Sequence, residues 1–239
     1  MSEVRIRWLE SAASTQDEAH QFAATGAPHG SAIAVPVQTA GRGTRGRVWI
    51  SSEGGLWLSV VCRPARGSAV EVVGVRTGLA LARFLDGIVR PPARIALKWP
   101  NDLLLGTGKL GGILTEARWQ GDELAWIIVG VGLNVRNDLP KGTAPPAARL
   151  LDAGVSLAAV DLAEPVARVV ARATRSAEPL SPDELEEFRL RDWLRGRRLK
   201  APEAGTAEGI SAAGLLRIRR GDGSMAEVFG SVGLAAPDA

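Results

Sequence analysis

Residues 38–47, Gln-Thr-Ala-Gly-Arg-Gly-Thr-Arg-Gly-Arg, put three glycines and three arginines into ten positions. Such a segment cannot pack as a core element, because guanidinium groups resist burial without partners and glycine brings no apolar side chain. It separates two apolar runs, 31–37 and 56–61, that read as strands, the second mostly buried. The chain must therefore fold so that two strands deliver a cationic, glycine-jointed loop to the surface. Gly41, Gly43 and Gly46 permit close backbone approach, so that amide N–H groups can converge on an anion. Arg42, Arg45 and Arg47 supply planar forks that fit carboxylate or phosphate oxygens. No Gly-Lys-Ser/Thr follows, as a P-loop requires, and no helix follows directly, as a dinucleotide fold requires. Taken alone, the segment is equally well a solvated surface loop.

The rest of the pattern is a segregated mixture of strands and helices, an α+β arrangement rather than a regular βαβ repeat. An opening strand fits 4–8. Ser14 and Thr15 offer N-caps with Asp17 and Glu18 three residues on, which predicts a capping box and a helix over 16–24 ending at Gly26. A longer amphipathic helix fits 69–89, stopped by Pro91-Pro92. Strands follow over 94–98, 103–105, 112–118 and 125–133, with a hairpin turn at Gln120-Gly121-Asp122. A loop over 137–146 leads to helical segments at 147–153, 157–177 and 182–194. From Arg197 onward, glycine-separated β-like pieces predict a small barrel of roughly 45 residues. The expected division is 1–194 and 195–239.

Composition removes several function classes. Cys62 is the single cysteine, and His20 and His29 are the only histidines, so neither a disulfide nor a Cys/His zinc site can be assembled. No apolar run reaches the roughly 20 residues that span a bilayer, and the start lacks a signal-peptide profile, so no membrane partner and a cytoplasmic location are expected. A formal charge of +3 is too small to make nucleic acid the default partner. Of 29 basic residues only Lys98, Lys109, Lys141 and Lys200 are lysines, which makes their positions informative.

Two of them fall in one window. Lys98-Trp99-Pro100-Asn101-Asp102 is followed seven residues later by Lys109-Leu110-Gly111-Gly112-Ile113-Leu114. Pro100 favours an extended Trp99, and Asn101-Asp102 can close a turn through side-chain hydrogen bonds. A ribbon through 103–105 and 106–108 then carries Lys109 back toward Asp102. The alternative is a plain hairpin with a surface lysine.

In order and spacing these pieces resemble the biotin protein ligases. The matching segments are Ser14-Thr15-Gln16, Gln38-Thr39-Ala40-Gly41-Arg42-Gly43 leading to Trp49, Lys98 to Asp102, Lys109 to Glu116, and Gly130-Val131-Gly132-Leu133-Asn134-Val135. The resemblance runs from about Trp8 to Val135, and the tail looks like the family's small SH3-like domain. It implies a mixed-sheet, class II synthetase-like catalytic domain that uses ATP, with Mg²⁺, to convert biotin into biotinyl-5′-AMP and pyrophosphate. The biotin then passes to a lysine of a biotin carboxyl carrier protein domain.

The resemblance also assigns residues. Ser14, Thr15, Gln16 and Gln38 would hold the ureido head of biotin, with backbone at Gly111 and Gly112. Arg42, Gly43, Thr44 and Lys109 would face the carboxylate and α-phosphate; Arg45, Arg47, Trp49, Asn101 and Asn134 would lie near the nucleotide. Trp49 and Trp99 read as hydrophobic walls. Lys109, Arg42 and Asp102 are the expected catalytic groups. Asp102 could orient Lys109, bind Mg²⁺ or receive a proton from the incoming lysine, and the sequence does not choose among these. Asn134 could equally be structural.

One departure stands out. Where the family reads Gly-Arg-Gly-Arg, this chain has Gly41-Arg42-Gly43-Thr44, and the adjacent Arg45 is the expected substitute for the missing arginine. The DNA-binding domain of repressor-type members is not expected here, since the Ser-Thr-Gln step begins at residue 14; a homodimer is left open. Two other readings compete: a lipoate–protein ligase or octanoyltransferase sharing the acyl-to-lysine logic, and a non-catalytic ligand- or RNA-binding module built on the arginine loop.

Overall fold

The computed structural model describes residues 4–63, 70–143, 145–176 and 178–235. Its main sheet has seven strands: β1 (Arg5–Trp8), β2 (Ser31–Val35), β3 (Leu56–Cys62), β4 (Ile95–Lys98), β5 (Asp102–Leu105), β6 (Gly108–Gln120) and β7 (Glu123–Leu133). Their order is β1-β2-β3-β7-β6-β5-β4, with only β1 and β2 parallel. The sheet is mixed, and the class is α+β as expected.

Side-chain alternation decides what covers each face. On β7, Ile127, Val129, Val131 and Leu133 point into the large core, with Leu56, Leu58 and Val60 of β3. That face is covered by α2 (Val70–Asp86) and α3 (Ala159–Ala173), whose Leu79, Leu85, Leu162 and Val166 join the same cluster. On the opposite face Trp126 and Ile128 meet Ala19 and Ala23 of α1 (Thr15–Ala24), with Ile33 and Val61. Further along that face come Gly130 and Gly132, where only the Gln16 side chain from the first turn of α1 meets Gly130 and the body of the helix has turned away. The uncovered stretch is where the cavity lies.

The helix expected over 69–89 is α2, with Ala69 outside the described residues. The long helix predicted over 157–177 is α3, shorter at both ends, and Ala177 is outside the described residues. α4 (Pro182–Arg191) begins with a true capping box: Ser181 Oγ accepts from the Glu184 amide, and Glu184 accepts from the Ser181 amide. The segment 147–153 is not one helix. Ala147 pairs with Lys109, the Lys109 amide donates to Pro146 O, and only Leu150–Ala153 forms a 3₁₀ turn. Propensity yields there to a strand-like pairing that fixes the backbone of Lys109.

The C-terminal strands are β8 (Arg198–Ala201), β9 (Gly205–Ile210), β10 (Leu216–Arg219), β11 (Met225–Val228) and β12 (Gly233–Leu234). They form an antiparallel sheet in the order β11-β10-β9-β8-β12. The expected barrel is thus a five-stranded sheet without closure, consistent with a small SH3-like unit. Leu199, Ala207, Leu216 and Ile218 reach the main cluster, and Trp99 Nε1 donates to Gly214 O at 2.9 Å. Trp99 is therefore a core tie between the two sheets, rather than a wall of the cavity.

Asp192, just past α4, sits at this junction. Its Oδ1 accepts from the Leu194 amide at 2.9 Å, while its Oδ2 is buried without a partner among the described residues. Burial raises its pKa to about 6. A carboxyl raised above its unfolded value withdraws stability as pH climbs through that range. Asp192→Asn is therefore expected to gain about 1–2 kcal/mol at pH 8, with a smaller gain at pH 5. Urea unfolding at the two pH values checks this, and equal gains would refute it.

Candidate active site

Ser14 is the N-cap of α1, its Oγ accepting from the Gln16 amide at 3.3 Å. The predicted capping box is absent because Asp17 is taken elsewhere: both its oxygens receive the Arg42 guanidinium, at 2.6 and 2.7 Å. A bidentate charge-assisted pair outcompetes a neutral cap. The start of α1 is polar and almost wholly buried. Gln38 Oε1 accepts from the Thr15 amide at 2.8 Å and from Thr15 Oγ1 at 3.1 Å. Gln38 Nε2 donates to Ser51 Oγ, while Ser59 Oγ donates to Gln16 Oε1. Gln16 Nε2 donates to Glu116 at 2.8 Å.

Glu116 is a hub that the residue pattern did not single out. Besides Gln16 it lies 3.4 Å from His20 Nε2 and 3.8 Å from Arg42 Nη2. The His20 contact, then Gln16 and Arg42, hold its carboxyl below the usual range against the effect of burial. His20 Nδ1 accepts from Trp126 Nε1, which leaves Nε2 to carry the proton toward Glu116. Nothing local in the sequence announces this cluster, because Asp17, Arg42 and Glu116 meet only through the fold.

The arginine loop is a tight hairpin. Gly41 O accepts from Trp49 N at 2.8 Å, and Gly43 N donates to Arg47 O at 2.7 Å. A Cβ at Gly41 would stand 2.4 Å from Trp49 O, so only glycine fits. Of the three glycine amides, that of Gly43 is used inside the hairpin. Arg45 takes a left-handed backbone, φ 60°, and its guanidinium points at Gly230 in the β11–β12 connection. It does not line the cavity. Arg47 does, held by Thr44 Oγ1 at 2.9 Å. Of the two arginines, Arg47 borders the cavity beside Thr44 and Arg45 does not.

Across the cavity, the β4–β5 turn sets Lys98 opposite Asp102. Asn101 ties that turn to β6, its Nδ2 donating to Ile113 O and its carbonyl accepting from the Ile113 amide. Lys109 Nζ lies 2.6 Å from Asp102 Oδ1 and 5.0 Å from the Trp49 ring. Lys98 Nζ lies 3.9 Å from Asp102 Oδ2. The ribbon expected to return Lys109 to Asp102 does so.

The floor is glycine. Gly112 of β6 faces Gly132 of β7, and Leu114 faces Gly130. A Cβ at Gly132 would lie 2.7 Å from Trp49 Nε1, and one at Gly130 2.7 Å from Gln16 Oε1. Gly111 lies outside the cavity, packed against Gly132 O within the sheet. Trp49 rests on this floor, edge-on to Trp57, its Nε1 buried without an acceptor among the described residues. Asn134 lines the cavity but is engaged structurally, donating to Lys109 O and Ala148 O and accepting from Asn137. The whole encloses about 280 Å³, and Ser14, Thr15, Gln16, Gln38, Arg42, Gly43, Thr44, Arg47, Trp49, Asn101, Asp102, Lys109, Gly112 and Asn134 all border it.

Asp102 does not fit a metal ligand in this arrangement, since an ammonium occupies one oxygen and a second approaches the other. Among the described residues no three His, Cys, Asp or Glu side chains are grouped to hold an ion. No helix among them is long and apolar enough to cross a membrane. Cys62 is buried, and burial pushes its thiol up to about 12, as an inert core residue requires.

Fold and site together are those of the biotin/lipoate A/B protein ligase family, to which the chain belongs: that family's model matches residues 8–134. The chain is 39% identical over 132 residues to the bifunctional ligase/repressor BirA of Bacillus subtilis, covering 53% of this chain and 40% of that one. It is 31% identical over 199 residues to the biotin–[acetyl-CoA-carboxylase] ligase of Mycobacterium tuberculosis, covering 74% and 66%. The solved biotin protein ligase of Aquifex aeolicus in complex with biotin and ATP matches with a TM-score of 0.79 at 25% identity, over 97% of this chain and 99% of that one. The chain spans less than half the length of several curated relatives, the Bacillus protein included.

The glycine floor yields a direct test. Gly132→Ala should cost about 1–3 kcal/mol by forcing Trp49 off the sheet. Gly74→Ala, in α2 with its nearest neighbour 3.5 Å away, should gain up to about 1 kcal/mol. Denaturant midpoints measure both, and a neutral Gly132→Ala would show that Trp49 is not held as described.

Proposed function

We propose that this protein is an ATP-dependent biotin–protein ligase that forms biotinyl-5′-AMP and transfers biotin to a lysine of a carboxyl carrier domain. The observation that carries the reading is one cavity in which a buried polar seat abuts a lysine–aspartate pair 2.6 Å apart. Family membership and the likeness to a ligase solved with biotin and ATP support it. A relative named for the acetyl-CoA carboxylase supports a carboxylase carrier as acceptor. The reading includes a ligase body up to about residue 194 and a small C-terminal domain beyond it.

The chemistry needs alignment and charge neutralisation more than a strong acid or base. Ser14, Thr15, Gln16 and Gln38 present hydroxyl and amide groups suited to a neutral ring that both donates and accepts. The carboxylate oxygen attacks the α-phosphorus, the bond to the β-phosphoryl oxygen breaks, and diphosphate leaves. Lys109, held by Asp102, balances charge on the carboxylate and α-phosphoryl oxygens, and Arg47 faces the nucleotide. Arg42, now paired with Asp17 and close to Glu116, can meet the ligand anion only by giving up part of that contact. In the second step the acceptor amine attacks the acyl carbon, AMP leaves, and one proton is released. Asp102 acts here by orienting Lys109.

The defining experiment is ATP- and biotin-dependent mass gain on a purified carrier domain. Absence of biotinyl-5′-AMP and of mass gain would overturn the reading; thermal stabilisation by lipoate rather than biotin would redirect it to the sibling activity. Lys109→Ala should lower pyrophosphate release about 10²–10³-fold while leaving the melting temperature near wild type. Lys109→Arg should also be poor, since its fork places donors differently. Because Thr44 replaces an arginine, Thr44→Arg should slow escape of the adenylate, read as its off-rate, and equal off-rates would remove that idea.

A further inference from the structure

Lys98 borders the cavity, yet the steps above give it no task. It ends β4, and the tight turn sets it opposite Asp102. The side chain is only 18% exposed, and its Nζ lies 3.9 Å from Asp102 Oδ2. That carboxylate is already engaged, since Lys109 sits 2.6 Å from Oδ1. One carboxylate cannot neutralise two ammoniums. Among the described residues, the other side of Lys98 meets the face of Trp193, with Nζ 5.7 Å from the ring centre.

The surroundings make the excess larger. The charged groups bordering the cavity are Arg42, Arg47, Lys98, Asp102 and Lys109. Arg42 is matched by Asp17, outside the lining. Arg47 bonds to the neutral oxygens of Thr44. Three cations therefore face one carboxylate. Burial draws Lys98 below the usual lysine range; Asp102 opposes this, while Lys109 and Arg47 push the same way. A half-buried ammonium without its own counter-ion is costly until an anion arrives.

We propose that Lys98, with Arg47, holds the diphosphate end of the nucleotide, on the Oδ2 side of Asp102 away from Lys109. The inference rests on the adenylate-forming reading and adds the group that receives the leaving charge. As the bond between the α-phosphorus and the bridging oxygen breaks, its electron pair passes to the departing diphosphate. The ammonium neutralises that charge as it grows, and no proton need move. The adenylate and the acceptor amine carry no diphosphate, so Lys98 has no duty in the second step.

The test separates the two half-reactions. Lys98→Met keeps the aliphatic stem against Trp193 and removes the charge. It should lower adenylate formation about 10²–10³-fold. Inhibition by added pyrophosphate should weaken at least tenfold. Transfer from synthetic biotinyl-5′-AMP to the carrier should change by no more than about twofold. Lys98→Arg should restore part of the pyrophosphate inhibition. Inorganic pyrophosphate alone should raise the melting temperature of the wild-type protein but not of Lys98→Met, a readout independent of turnover. Unchanged pyrophosphate binding, or equal losses in both half-reactions, would overturn the proposal. Should the Met variant fail to fold, Lys98→Gln carries the same comparison. A wild-type chain that forms no adenylate would sink the parent reading alone, because pyrophosphate stabilisation still reports on Lys98.

Discussion

The uncovered half of one sheet face is the constraint on which the site depends. α1 packs on Trp126 and Ile128 of β7, and only its first turn, through the Gln16 side chain, reaches Gly130. A side chain at Gly130 or Gly132 would collide with Gln16 or Trp49, and one at Gly112 would press on the Trp49 ring. Glycine in a strand interior weakens the strand, and here the cost is borne by the long β6–β7 pairing and the apolar cluster on the other face. The absence of side chains is what lets the polar helix start, the arginine loop and Lys109 converge on one volume.

Charge pairing then sorts the cations into two groups. Arg42 is drawn back to Asp17 and toward Glu116, on the α1 side, where Gln16 shares the same carboxylate. Lys109 and Lys98 are gathered on Asp102, on the β4–β5 side. Between them, Trp49 lies on the floor with its indole N–H unpaired among the described residues. An unmet buried donor costs about 1–3 kcal/mol. The ring is therefore held by packing rather than by hydrogen bonding, and the loop that carries it is coupled to whatever occupies the floor.

Much of this was legible in the residues, for identifiable reasons. Strands β3 and β7 announced themselves because both their faces are largely buried, and the return of Lys109 to Asp102 followed from ribbon length alone. What escaped were interactions between distant segments. Asp17 reads locally as a cap residue, and only the fold brings Arg42 to it across 25 positions. Ala147 reads as helical, yet its backbone is claimed by Lys109. Arg45 is adjacent in sequence to Thr44, but the left-handed turn at the loop tip aims it at the β11–β12 connection while Arg47 borders the cavity. Adjacency in a tight hairpin is a poor guide, because successive side chains diverge.

Asp102 shows why residue type alone left three roles open. A carboxylate can ligate a metal, accept a proton or orient a lysine, and each demands different neighbours. With one ammonium at 2.6 Å and another at 3.9 Å, its two oxygens are both engaged and leave little attraction for a further cation. A carboxylate held between two lysines is a positioning group. It holds two flexible side chains on opposite oxygens, reducing the ordering that a polyanionic substrate would otherwise impose on them. The same excess of positive charge that makes Asp102 unsuited to a metal makes the cavity suited to phosphoryl groups, and both properties arise from one turn between two short strands.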